Sequence, residues 1–270
     1  MARRLRQDLR AALKSARPGT RTAFLELFAG VGNLSRHLRR RGHAVVSLDI
    51  RHGPHHGLSS NEVYAVVKGW LQSGMLWGLW CGTPCSSFSR ARRAPPGSSM
   101  PGALRDRLHV RGLPGLVGKD LAGARLGNLL ADRAGVLARM AYDRNLAGGE
   151  ENPASSFLWL LRSRELFLRR PRVADAVVDY CSCGTSFRAR TRLRLWHWAP
   201  PPALLKLRCS GRGVCAFSGE AHRHLTGADK GGFLTLQKNH YPDKLCRLLA
   251  SGLTTAQGCR AASLRWAHVR

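Results

Sequence analysis

Acidic residues are scarce in this chain. Asp and Glu number 16 against 44 Lys and Arg, a formal net charge of +28 over 270 residues. That deficit excludes a surface balanced between the two signs and favours a polyanionic partner, most commonly nucleic acid. Lysine is scarce as well, at seven of the 44 basic residues: Lys14, Lys68, Lys119, Lys206, Lys230, Lys238 and Lys244. Arginine in excess beside abundant Ala, Gly and Leu is also what GC-rich codon usage produces, so charge alone leaves two explanations open. Long apolar runs are missing; none reaches the roughly 18 residues that span a bilayer, so no membrane partner is expected. Eight cysteines are too few for a disulfide scaffold, and no hydrophobic segment opens the chain. The thiols are therefore expected to serve catalysis or metal binding in a reducing, intracellular setting, nuclear or cytoplasmic rather than organellar. The length suits one domain with a modest appendage, expected to work as a monomer.

What is present reads as strand and helix in alternation. Thr22–Phe28 is a strand, Asn33–Arg41 a helix behind a glycine turn, and Ala44–Ile50 a second strand. Val63, Val66, Val67, Trp70 and Leu71 follow helical spacing, and Met75–Trp80 is a short, wholly apolar strand. Alternation of this kind predicts an α/β fold, a parallel sheet with helices on its faces. Ahead of it, residues 1–21 form a basic segment with Asp8 as its single acid. Leu5, Leu9 and Leu13 could share a helix face there, and a transit peptide or a basic arm fits equally. The main domain runs from 22 to 195. It is interrupted at about 90–126 by a stretch rich in loop formers (Pro95, Pro96, Gly97, Pro101, Gly102), read as a mobile insertion that could act as a lid. Helices are expected from Leu126 to Tyr142 and Ser155 to Leu168, and a strand at Val173–Tyr180. Residues 196–239 look like a small irregular lobe rich in Cys and His, and 240–270 a closing helix and tail.

Four stretches carry chemistry. In Phe28-Ala29-Gly30-Val31-Gly32-Asn33 the glycines let backbone approach a ligand, and the helix that follows offers free N–H groups. Asp49, at the end of the next strand, is spaced to meet a ribose hydroxyl. A nicotinamide cofactor would also fit, but the third spaced glycine of that fingerprint is missing. Cys81-Gly82-Thr83-Pro84-Cys85-Ser86-Ser87-Phe88-Ser89 places a thiol just past a parallel strand, where ligands of such sheets bind. A thiolate adds well to an unsaturated ring carbon; Cys81 and Cys85 as metal ligands are the rival reading. Glu150-Glu151-Asn152-Pro153 offers a carboxylic acid, or alternatively a helix cap. Arg188-Ala189-Arg190-Thr191-Arg192 is either an exposed basic run or a functional cluster. Separately, Cys209, Cys215, His222 and His224 lie close in sequence and could hold zinc, with Cys181 and Cys183 able to join them; the spacings are not those of a familiar finger.

Taken in order, these stretches resemble the cytosine-5 DNA methyltransferase family, of which the chain would be a compact and divergent member. Leu27-Phe28-Ala29-Gly30-x-Gly32 is similar to the family's S-adenosylmethionine loop. Pro84, Cys85, Phe88 and Ser89 match its Pro-Cys-Gln-x-Phe-Ser signature, with Ser86 for Gln. Glu151-Asn152-Pro153 resembles Glu-Asn-Val, and Arg188-x-Arg190-x-Arg192 resembles Gln-x-Arg-x-Arg. Asn239–Cys246 is similar to the last motif, which opens a helix beside the cofactor. The resemblance implies a Rossmann-like methyltransferase sheet and S-adenosylmethionine as cofactor. It assigns the cofactor to Phe28, Ala29, Gly30, Gly32, Asn33, Asp49 and Pro84. It implies that Cys85 attacks C6 of a flipped cytosine, Glu151 supports N3, and Arg190 and Arg192 orient the loop and the base. DNA is implied ahead of RNA, and a non-catalytic binder built on the same fold is the alternative. Two departures stand out. His55-His56-Gly57-Leu58 lies where the family has an acid, and the segment before the last helix is short for a DNA target-recognition domain.

Overall fold

The computed structural model describes residues 1–92, 102–225, 228–229, 232–233 and 240–267. A six-stranded sheet organises it, built from β1 (Ala23–Leu27), β2 (Ala44–Leu48), β3 (Leu76–Cys81), β4 (Ala147–Pro153), β5 (Val173–Asp179) and β6 (Arg190–Trp196). Their spatial order is β2-β1-β3-β4-β6-β5. The first four are parallel, and β6 runs antiparallel between β4 and β5. The helices are α1 (Ala2–Lys14), α2 (Asn33–Arg40), α3 (Asn61–Gln72), α4 (Gly118–Asp143), α5 (Arg162–Leu168), the short α6 (Pro202–Leu205) and α7 (Asp243–Ala267).

Period-two alternation along the strands sorts the core into two layers. Leu25, Leu27, Val46, Leu48 and Leu79 face α1, α3 and α4. Phe24, Val45, Trp77 and Trp80 face α2 and α7, the two tryptophans sharing that face because of a register shift in β3 after Leu76. Strands covered on both sides read as unbroken apolar runs, which is why β1 to β3 are plain in the sequence. None of the described helices is long and apolar enough to cross a membrane.

Several expectations need correction. Of the readings open for segment 1–21, the amphipathic helix holds and the arm does not. Leu5, Leu9 and Ala12 of α1 are buried in the first layer, and each such leucine stabilises by about 1.5–3 kcal/mol. Arg3, Arg4, Arg6 and Arg10 stay exposed on its other side. The expected insertion ends earlier than Leu126, because α4 starts at Gly118. Residues 102–117 are fastened rather than loose. The buried Arg105 guanidinium donates to the carbonyls of Ser87, Val110 and Ala124 and to Asn128 Oδ1. Pro95, Pro96, Gly97 and Pro101 lie outside the described residues. The helix expected over Ser155–Leu168 is split into a 3-10 turn at Phe157–Leu160 and α5. Beyond α6 the lobe holds a small antiparallel ribbon, β7 (Ala228–Asp229) with β8 (Gly232–Phe233).

Candidate functional site

The chain reverses direction across the sheet at β1. From β1, α2 leads to β2 on one side, and α3 then crosses to β3 on the other. Ligands of open α/β sheets bind outside the carboxyl ends of strands at such a reversal. Phe28–Asn33 follow β1 there, Asp49 follows β2, Pro84 and Cys85 follow β3, and Glu151 sits near the end of β4.

The turn after β1 is built for close approach. Phe28, Gly30 and Gly32 all have positive φ, at 57°, 56° and 69°. For Phe28 that conformation costs on the order of 1–3 kcal/mol, a strain typical of ligand-binding turns. Ala29 N–H donates to Leu48 O at 3.2 Å. Gly30 N–H donates to Asp49 Oδ2 at 2.8 Å, and Arg51 N–H to Asp49 Oδ1 at 2.9 Å. Asp49 thus holds the turn, and its two oxygens keep acceptor capacity for a ligand hydroxyl. Asn33 Nδ2 donates to Tyr241 O at 2.8 Å, tying the turn to the start of α7. Glu26 caps α2 from β1, accepting from Ser35 N–H at 2.9 Å and from the Ser35 hydroxyl; burial lifts its carboxyl to about 7. Val31 and Ile50, 44% and 61% exposed, leave apolar surface beside Asp49 that a planar ring could cover. Ile50, read in the sequence as the last residue of the second strand, instead opens a 3-10 turn after Leu48.

The cysteine loop is pinned along its length. Gly82 N–H donates to Leu27 O at 3.0 Å. A Cβ on Gly82 would lie 2.7 Å from Tyr241 Oη and 3.0 Å from Phe28 O, so no side chain fits there. Thr83 Oγ1 donates to Glu150 Oε1 at 2.8 Å, and Asn152 Nδ2 to Thr83 O at 2.6 Å. Phe88 is fully buried with the Arg105 guanidinium 3.8 Å above its ring, and its N–H donates to Cys85 O at 2.9 Å. The two cysteines differ sharply. Cys81 is fully buried, and burial together with Glu150 drives its thiol well above the ordinary range. Cys85 is half-buried in the loop.

The adjacent glutamates of β4 face opposite sides of the sheet. Glu150 pairs with Arg164 through two contacts, Nε to Oε2 at 2.7 Å and Nη2 to Oε1 at 2.8 Å, both side chains 2% exposed. Glu151 turns toward α7, where Tyr241 Oη donates to its Oε2 at 3.1 Å and accepts from Trp80 Nε1 at 3.3 Å. Burial raises the Glu151 carboxyl to about 7, against the lowering effect of hydrogen bonds from Tyr241 and Thr191.

The arginines sit differently from expectation. Arg192 pairs in register with Asn152 and so emerges on the face opposite Glu151. It contacts Asp175 at 3.4 Å, with its guanidinium 5.3 Å from the Trp159 ring centre. Arg190 bonds Asp179 at 3.1 Å. Arg105 also holds the cysteine loop, through Ser87 O and Ser87 Oγ. Arg192 instead lines a cavity of about 460 Å³ with Arg90, Trp159, Arg169 and Arg194, next to Ala154–Ser156. Of the expected metal ligands, Cys209, Cys215 and His222 come together; His224 is exposed and outside the group, and Cys181 takes the fourth place. Comparison of the chain with protein-family models and with curated proteins finds no match.

Proposed function

We propose that the chain is a cytosine-5 methyltransferase acting on DNA, with Cys85 as nucleophile and Glu151 as acid. The observation that carries this reading is that the Cys85 loop is tied to the end of β4 by the Asn152–Thr83 hydrogen bond, next to the Glu151 carboxyl that burial raises to about 7. A group with that affinity for a proton can hold one at neutral pH and still release it, as general acid catalysis requires. A carboxyl of ordinary pKa would be ionised there.

C5 of cytosine is too weak a nucleophile until C6 is saturated. The Cys85 thiolate forms the S–C6 bond while Glu151 gives its proton to N3, and electron density moves to C5. S-adenosylmethionine, when bound, supplies the electrophilic methyl group that C5 takes. The C5 proton then leaves to solvent, the S–C6 bond breaks, Cys85 departs as thiolate, and the N3 proton returns to Glu151. Phe28, Ala29, Gly30, Gly32, Asp49 and Pro84 would hold the cofactor. The donor set fits it, with close-approach glycine backbone, a carboxylate and the exposed Val31 and Ile50 at one turn. The net charge suits a polyanion, and the Arg-lined cavity, on the sheet face opposite Glu151, offers it backbone phosphate contacts rather than a pocket for the base.

Incubation with methyl-labelled S-adenosylmethionine and DNA, followed by nucleoside analysis, tests the reading. Label in 5-methylcytosine is expected, and none with Cys85→Ser. Label in RNA alone would replace the substrate, and no label in either would overturn the activity.

A further inference from the structure

A second centre lies outside the proposed active site, and we propose that it is a structural zinc site with the ligands Cys181, Cys209, Cys215 and His222. Their donor atoms all lie within 4.8 Å of one another. Cys209 Sγ is 3.6 Å from His222 Nε2. A tetrahedral ion with Zn–S near 2.3 Å and Zn–N near 2.0–2.1 Å sets that S···N separation at about 3.5–3.6 Å. That separation is the one expected of two donors sharing a small cation, and the other two donor atoms lie close by.

Backbone donors face two of the sulfurs. Ala216 N–H points at Cys209 Sγ at 3.4 Å, and Phe217 N–H at Cys215 Sγ at 3.5 Å. Backbone donors aimed at sulfur stabilise negative charge there and orient the ligands. A tight loop presents them. Cys215 N–H donates to Glu220 O at 2.7 Å, His222 N–H to Gly213 O at 2.9 Å, and Val214 bridges Ala221. The three sulfurs make a buried cluster of their own with no aliphatic side chain in it, while Val214 and Phe217 are about half exposed. Leu204, Leu207 and Leu225 pack into the second core layer, but among the described residues no aliphatic side chain joins the sulfur cluster, so a metal would be its source of order. Three soft thiolates and one imidazole select zinc among common ions. With four protein ligands no position remains for a reacting water, so the site is structural.

The centre is joined to the sheet through Asp179. Cys209 N–H donates to Asp179 Oδ2 at 3.0 Å, and Asp179 Oδ1 accepts from both Arg188 and Arg190. Arg188 also donates to the carbonyls of Cys209 and Gly211. The metal thereby fixes the lobe to the end of β5 and the start of β6, the strand that carries Arg192 to its cavity. Cys181, sitting just after β5, is the ligand that makes this a link between sheet and lobe.

Metal analysis of the full chain, purified under reducing conditions, tests the proposal independently of any methyl transfer. Stoichiometric zinc is expected in the wild type. Cys181→Ser and His222→Ala should weaken retention at least about tenfold, while His224→Ala and Cys183→Ser should keep the metal. Because ligand variants can fail to fold, the wild type should also be stripped and refilled with cobalt(II). The intense visible bands of a tetrahedral ion and a thiolate charge-transfer band are then expected. Wild type that holds no zinc and takes up no cobalt, bound iron–sulfur in its place, or full retention in Cys181→Ser would each overturn the assignment.

Discussion

Tyr241 Oη donates to Glu151 Oε2 at 3.1 Å, so the start of α7 sets the state of an acid at the end of β4. That hydrogen bond lowers a carboxyl which burial has raised to about 7. Removing it in Tyr241→Phe should raise Glu151 further. Methyl transfer that needs Glu151 protonated falls as pH rises through that pKa, so in the variant the fall should move to higher pH. Single-turnover rates across a pH series would show it. An unmoved alkaline limb would mean that Glu151 is not the titrating acid.

Glu150 and Arg164 form a buried, two-contact pair on the other face of the same strand. Arg164→Ala leaves a carboxylate buried without its cation, which should cost about 3–5 kcal/mol in denaturant unfolding. Replacing both partners, Glu150→Gln with Arg164→Met, should recover much of that loss. Equal losses in the single and double variants would show that the pair matters for packing rather than charge.

Asp49→Ala removes the acceptor of Gly30 N–H together with the carboxylate offered to the cofactor. Calorimetry should show S-adenosylmethionine binding weakened by about 1–3 kcal/mol, the value of a charged hydrogen bond. Unchanged affinity would take Asp49 out of the site.

The parts of this arrangement legible in the sequence are those with one physical cause. Strands β1, β2 and β3 are buried on both faces and announce themselves as apolar runs, and the turn at Gly30 and Gly32 needs residues without a Cβ. Strand β4 was hidden, because Gly148 and Gly149 leave room for the Trp196 and Trp80 rings and so give it no strand-like composition. The β6 hairpin was hidden too, since its alternating arginines satisfy Asp175 and Asp179 across the sheet and read locally as a basic run. Asn152 distinguishes Glu151 from Glu150 in the sequence, but that the two face opposite sides of one strand needed the register. The sequence left Cys181 and Cys183 equally open as ligands, and only the fold singles out Cys181; it placed the Tyr241 segment beside the cofactor, but the contact of Tyr241 with Glu151, 90 residues apart, needed the fold.

The charge of +28 predicts a steep salt dependence of DNA affinity. Each phosphate neutralised adds about −0.9 to the slope of log affinity against log salt. Arg192→Ala and Arg169→Ala, at the cavity, should each flatten that slope by about one phosphate's worth. A flat response in the wild type would assign the arginines to codon usage instead.

The most direct test of the central claim is the covalent bond itself. Fluorine at C5 cannot leave as a cation, so the Cys85–C6 adduct should accumulate once the methyl group has transferred. Full-length protein mixed with DNA containing 5-fluorocytosine and S-adenosylmethionine should give a complex that survives denaturation, with the modified peptide containing Cys85. Cys85→Ser should abolish it and Cys81→Ser should retain it, while Glu151→Gln should slow it by about 10²–10⁴-fold. Cofactor binding without any trapped complex on DNA or RNA would contradict cytosine-5 chemistry at this site.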